Sequence, residues 1–169
     1  FQALDEYNLA MIEQPLAHDD LLDHAELQKR IRTPVCLDES LTSPDKARKA
    51  LALGSARYFN IKPGRVGGLT NALAIHDLAY KAGIPCWVGD MLESAVGVAH
   101  CLALATLPGF TYPADIFPTS RFYHQDLAEP EIKLSGPSRI TAQDPSGIGT
   151  VPNPEQLAKM TLARVEFRA

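Results

Sequence analysis

A chain of 169 residues, 46% hydrophobic and 21% charged, is long enough for one domain with a core and is not a disordered polymer. Its formal charge of −4 offers no electrostatic footprint for nucleic acid. No apolar run approaches the ~20 residues of a membrane helix, and no basic segment followed by an apolar one opens the chain, so neither a membrane partner nor a secretion leader is expected.

The predicted elements alternate. The opening FQALDEYNLAM has no initiator Met and no cap, and reads as the last helical turn before a strand, so Phe1 is expected to be a cut rather than a beginning. Residues 8–13 (NLAMIE) form a short apolar strand, stopped by Gln14-Pro15. Residues 19–31 repeat Leu21, Leu22, Ala25, Leu27 and Ile31 near helical spacing, with Asp19 or Asp20 as the N-cap. PVCLDE (34–39) is the second strand. Ser43-Pro44 then opens a helix that closes at Gly54. RYFNIK (57–62) is a strand, Gly64, Gly67 and Gly68 a turn, and residues 69–83 a helix closed by Gly83. IPCWVGD (84–90), a helix over 94–109 and FTYPAD (110–115) complete a fifth strand–helix series.

Short apolar strands alternating with amphipathic helices mean parallel βαβ units. A polar residue stands at each strand end: Glu13, Asp38, Lys62, Asp90 and Asp115, at intervals of 25, 24, 28 and 25 residues. A doubly wound sheet places chemistry only near its switch point, whereas a (β/α)8 barrel points every strand end into one mouth. The expected fold is therefore α/β, the C-terminal part of a TIM-type barrel, about strands 4 to 8, over residues 1–119. Residues 120–169 are expected to be a tail on the barrel exterior. That tail is rich in Pro, Gly and Ser, with β-like pieces EIKL and SRIT, a helix at NPEQLAKMT, and LARVEFRA as an edge strand.

Glu13 and Asp38 would then sit on neighbouring strands ~4.8 Å apart. Two like charges held so close need a counter-charge, which a hard divalent cation supplies through oxygen ligands. Lys62, one strand further, is suited to move a proton, because a nearby metal and shielding from water disfavour its ammonium form. Two carboxylates and a lysine on consecutive strands suit proton abstraction next to a carboxylate. Taken singly, each residue has an ordinary alternative: Glu13 as a solvated strand end, Lys62 as a surface lysine, Asp90 and Asp115 as turn caps. Glu39 alternates away from Asp38 and is not expected among the ligands; it is expected, with Asn60, to lie behind them. His18 and His24 read as solvated, His76 and His100 as packing or outer-face residues, and Gly67-Gly68 as a tight turn. Cys36, Cys86 and Cys101 are odd in number and lack a CxxC spacing, which fits buried thiols in a reduced, cytoplasmic setting.

MIEQPLAHDD, TPVCLDESLTSPDKA, FNIKPGRVGGL, WVGDMLESAVG and DPSGIGT together resemble the enolase superfamily, in its muconate-lactonising subgroup and the o-succinylbenzoate synthase/N-acylamino acid racemase family. The resemblance implies Mg, or Mn or Co, held by Glu13 and Asp38, with Lys62 as one of two acid/base lysines acting through an enediolate. It implies a small carboxylate substrate contacting Met91 and Leu92 after the seventh strand; Asp115 is expected among the contacts from its place at the mouth. Asp90 stands where Gly is more usual. A third carboxylate, an opposing lysine and a capping domain would lie before residue 1, so these 169 residues alone are expected to turn over little or nothing. A homo-oligomer, or association with the remaining half of the barrel, follows from the open edges. The rivals are dipeptide epimerase, from whose Asp-x-Asp motif Asp115-Ile116-Phe117 departs, and muconate cycloisomerase. Two further rivals are a metal-free Schiff-base aldolase on Lys62 and an inactive piece that serves only in assembly.

Overall fold

Residues 1–142 and 146–167 are described by the structure, a computed structural model. Four parallel strands form one sheet in chain order: β1 (Ile12–Glu13), β2 (Val35–Leu37), β3 (Tyr58–Ile61) and β4 (Cys86–Val88). Glu13 pairs with Cys36, Leu37 with Phe59, and Ile61 with Val88. Helices α1 (Leu21–Arg30), α2 (Pro44–Leu53), α3 (Pro63–Val66), α4 (Leu69–Lys81) and α5 (Ala95–Ala105) fill the connections or follow the last strand. A sheet whose strands follow one another without reversal is the wall of a barrel, not a doubly wound sheet.

The helices begin and end where local chemistry demands. The Asp20 carboxylate accepts the Asp23 N–H at 2.8 Å to start α1. The Ser43 hydroxyl accepts the Lys46 N–H at 3.2 Å to start α2, Pro44 fills its first turn, and Gly54 ends it in the left-handed region at φ 71°. Gly67 and Gly68, at φ 88° and 108°, carry the chain from α3 into α4 through a turn that side chains resist. Ala47 and Ala50 of α2 and Ala72, Ile75 and Ala79 of α4 cover the sheet's outer face, packing with Leu37, Phe59, Ile61 and Val88.

Several expectations are corrected. The chain before β1 is helical as expected, a 3-10 helix (Gln2–Tyr7), but the strand itself spans two residues rather than 8–13. FTYPAD is not a regular strand. It joins β4 through two isolated parallel bridges, Cys86 with Phe110 and Gly89 with Asp115. The N–H groups of Thr111 and Tyr112 both turn to the Cys86 carbonyl, and Pro113 has no N–H to continue a ladder. On α1, His24 and Gln28 are buried and Leu22 is exposed. His24 accepts the Leu16 N–H on Nε2 at 3.3 Å and meets the Asp20 carbonyl with Nδ1, so it is not solvated. Gln28 accepts the Val35 N–H at 2.7 Å and donates to the carbonyls of Ile31 and Thr33, satisfying the backbone that enters β2.

The tail departs from expectation too. Its described ladder pairs β5 (Ala128–Glu129) with β6 (Val151–Pro152), not EIKL with SRIT. A helix follows as expected, α6 (Pro154–Met160), capped by Asn153. Residues 162–167 form no strand: Leu162, Val165 and Phe167 are exposed, and no ladder among the described residues receives them. Asp144 and Pro145 of DPSGIGT lie outside the described residues. Ala128 and Ile132 pack on Ala95, Val98 and Leu102 of α5. The buried Asp126 carboxylate accepts the Ala95 N–H with both oxygens at 3.1 Å and the Ala128 N–H at 3.0 Å. Asp126→Ala strands the first amide of α5 and is expected to cost about 1–2 kcal/mol, read as a lower urea midpoint at unchanged slope.

A candidate active site at the strand ends

Because the sheet is parallel, its strands deliver their last residues to one edge. Side chains alternate along a strand, so residues two apart share a face. Cys36 and Asp38 share the inner face through β2, Asn60 and Lys62 through β3, and Trp87 and Gly89 through β4. The Trp87 indole N–H donates to Cys36 Sγ at 3.2 Å, closing an apolar floor below the polar rim. Burial pushes the Cys36, Cys86 and Cys101 thiols up, which makes them packing residues rather than nucleophiles.

Asp38 is the centre of the rim. It is 4% exposed and carries two cations: Lys62 Nζ stands 3.3 Å from Oδ2, and the Arg65 guanidinium grips both oxygens, with Nη2 3.4 Å from Oδ2. A carboxylate buried this far is tenable because it is paired. Lys62 is held by the last residues of β3 and occupies the N-cap position of α3, and Arg65 lies one turn later on that helix. Glu13, at the end of the edge strand, receives the Asn60 Nδ2–H on Oε1 at 2.9 Å. Glu13 is exposed as a residue, yet its carboxyl is held above the usual range. Withdrawal from water is the first cause and the Asn60 bond opposes it; Asp38 raises it further, Lys62 lowers it, and Glu39 adds a small upward push. Glu39 itself is exposed beside the buried Asp38.

Gln14 builds the turn that presents Asp38. Its Oε1 accepts the N–H groups of Asp38 at 3.0 Å and Ser40 at 3.1 Å, and its Nε2 donates to the Ser40 hydroxyl at 2.7 Å. Gln14 adopts φ 40°, so the chain leaves β1 sharply toward Pro15. Neither Gln14 nor Arg65 is flagged by the sequence reading. The signals were available in IEQP and KPGR, but both residues act across strands, and spacing along one strand does not reveal that.

Asp90 follows β4 by two residues. Its Oδ2 accepts the Phe117 N–H at 2.9 Å, and its own N–H donates to the Asp115 carbonyl at 2.9 Å. Burial raises its carboxyl to about 6 against that hydrogen bond, with Glu93 and Asp115 adding to the rise and Lys62 offsetting it. Asp115 is exposed, and its contacts to β4 run through the backbone. Met91 and Leu92 are exposed on the outer rim, and their side chains are not joined to the Asp38–Lys62 pair.

The assembled rim holds oxygen donors from Glu13 and Asp38, a half-buried lysine and a half-buried arginine. Oxygen-only donors suit a hard divalent cation rather than a soft one. Among the described residues no group of three or more His, Cys, Asp or Glu gathers at one point. A cation here would therefore complete its shell with water, substrate or other oxygen donors.

The chain is similar to known proteins over most of its length. Residues 1–156 match the family described as enolase C-terminal domain-like. The chain is 60% identical over 126 residues to N-succinylamino acid racemase of Thermus thermophilus, covering 75% of this chain and 34% of that protein. It is 51% identical over 160 residues to o-succinylbenzoate synthase of Geobacillus stearothermophilus, covering 95% and 42%. A probable mandelate racemase structure from Alicyclobacillus acidocaldarius superposes with a TM-score of 0.89 at 40% identity, covering 96% of this chain and 42% of that one. The chain thus spans about two-fifths or less of the length of these relatives. On the match over residues 1–156 and these identities, the chain belongs to the enolase C-terminal domain-like family.

Proposed function

We propose that this chain supplies part of the active site of a divalent-metal-dependent enzyme that removes a proton α to a carboxylate. The observation that carries the reading is the buried Asp38 carboxylate, 3.3 Å from the Lys62 amine on the next strand. We assign Lys62 as the proton carrier, Glu13 and Asp38 as ligands, and Met91, Leu92 and Asp115 as substrate contacts. Enolase-type sites pair a lysine or histidine base with Mg²⁺. When bound, the cation supplies positive charge to a substrate carboxylate whose negative charge grows as the α-proton leaves. The residues do the rest. Asn60 holds the Glu13 carboxylate through Oε1. Arg65 grips Asp38 and so holds its carboxylate beside the Lys62 amine. The Trp87–Cys36 floor keeps water from beneath the lysine. Racemisation of N-succinylamino acids and dehydration to o-succinylbenzoate both begin with this step, and relatives at 60% and 51% identity bear those two names.

The activity is proposed for the polypeptide as its gene encodes it, with residues 1–119 as barrel and 120–169 as tail. Three buried free thiols favour a reduced, cytoplasmic setting. Open sheet edges favour a homo-oligomer or pairing with further barrel strands. The test is to assay that polypeptide on both substrates before and after EDTA. Turnover is expected to vanish on chelation and to return with Mg²⁺. Turnover that survives chelation and is stopped by borohydride would replace this reading with a Schiff-base aldolase.

A further inference from the structure

Gly89 closes β4 opposite Lys62, and the space around it is already taken. A Cβ built there would lie 2.6 Å from Lys62 Cε, 2.6 Å from Asn60 Oδ1 and 3.0 Å from Asn60 Nδ2. Carbon atoms in contact prefer roughly 3.5–4.0 Å and the approach to Asn60 Oδ1 is as close as that to Lys62 Cε, so a methyl group cannot enter unless both side chains move. Backbone conformation is not the reason for glycine at this position, since Gly89 is absent from the glycines with positive φ, where Gly67 and Gly68 are found. The requirement is for room alone.

None of the three parties is free to yield. The Gly89 backbone bridges Asp115, and the residues on either side of it are bonded there as well: Val88 accepts the Asp115 N–H and the Asp90 N–H donates to Asp115, both at 2.9 Å. Asn60 is 1% exposed, its Nδ2 is committed to Glu13, and its Oδ1 is buried without a partner. Lys62 is committed to Asp38. Moving Asn60 would loosen Glu13, and moving Lys62 would draw its amine off Asp38.

We propose that Gly89 is a positioning residue for the reaction: its missing side chain lets Lys62 and Asn60 lie across the end of β4, setting the lysine amine and the Glu13 carboxylate at once. The proposal rests on the function proposed above and adds a residue that has no side chain to offer substrate or cation.

The experiment uses the polypeptide as encoded and follows α-proton exchange into D₂O from the separate enantiomers of N-succinylphenylalanine, with Lys62→Ala beside Gly89→Ala. Gly89→Ala is expected to fold. Its kcat should fall by about 10- to 100-fold for whichever enantiomer Lys62→Ala silences, with KM moving less than about threefold, because a misplacement near 1 Å carries that scale of loss. The other enantiomer should slow less. The Asn60 side-chain amide resonance, identified by its loss in Asn60→Ala, should shift in Gly89→Ala. Wild-type kcat in folded Gly89→Ala, or an unmoved Asn60 amide, overturns the proposal. If Gly89→Ala does not fold, the double variant Gly89→Ala/Asn60→Ala should, since it removes the nearest polar atoms; a double variant that is also unfolded overturns it. Should Lys62→Ala exchange both enantiomers at the wild-type rate, the proposed function fails instead, whatever Gly89→Ala does.

Discussion

Lys62→Ala is expected to leave a folded protein that turns over ~10²- to 10⁴-fold more slowly, the range that a positioned acid/base group supplies. The fold should survive because Asp38 keeps a partner. Arg65 still grips its carboxylate, so no buried anion is left bare, and the lost lysine contributes one stem packed beneath the rim. Turnover should collapse because no other amine contacts Asp38 among the described residues. Lys62→Arg separates charge from chemistry. It can restore a cation beside Asp38, but guanidinium does not give up its proton at working pH, so turnover should stay low. Exchange of the substrate α-proton measured by NMR, alongside a thermal melt, tests both variants. Exchange at the wild-type rate from a folded Lys62→Ala protein would remove the lysine from the mechanism.

Asp38 carries the second large effect, and here stability and chemistry part in the opposite way. Its carboxylate is the shared counter-ion of Lys62 and Arg65, whose side chains are 14% and 16% exposed. Asp38→Ala leaves two half-desolvated cations side by side. Breaking a buried pair from one side costs about 3–5 kcal/mol, so this variant should unfold at much lower urea. Asp38→Asn keeps the shape and one oxygen acceptor while removing the charge. It should lose less stability and still weaken Mg²⁺ binding by at least about 100-fold, since even residues behind the ligands change affinity by 10- to 100-fold. Urea titration and calorimetric Mg²⁺ titration of the encoded polypeptide read the two quantities separately. Unchanged Mg²⁺ affinity in Asp38→Asn would remove Asp38 from the ligand set.

Helix positions were the most legible part of the sequence because their signals are local. Asp20, Ser43-Pro44 and Gly54 each act within a few residues, and each does in the structure what its type predicts. Strand lengths were less legible. Apolar runs such as NLAMIE extend beyond the residues that pair, and Pro113 interrupts FTYPAD through a missing N–H rather than through polarity. The burial of His24, expected to be solvated, and of Gln28 is hidden for a related reason. Both are polar, and although Asp20 lies one helical turn from His24, their other backbone partners belong to residue 16 and to residues 31–35, which no helical period brings to notice. At the rim, regular intervals located Glu13, Asp38, Lys62, Asp90 and Asp115 along the chain. Intervals do not encode contacts between strands. Gln14 beneath the Asp38 turn, Arg65 on its carboxylate and Gly89 beneath Lys62 emerged only once the strands stood side by side.

The Asp126 cap on α5 has a bearing on how the molecule comes apart. The helix it starts begins directly after the loop 89–94, which carries Gly89, Asp90 and Glu93. Tyr123, from the same stretch of tail, donates its hydroxyl to the Leu92 carbonyl within that loop. Tail and rim are thereby tied at two points, so opening of one is expected to loosen the other. A protease that nicks the chain between residues 120 and 130 is therefore expected to loosen the strand-end rim as well.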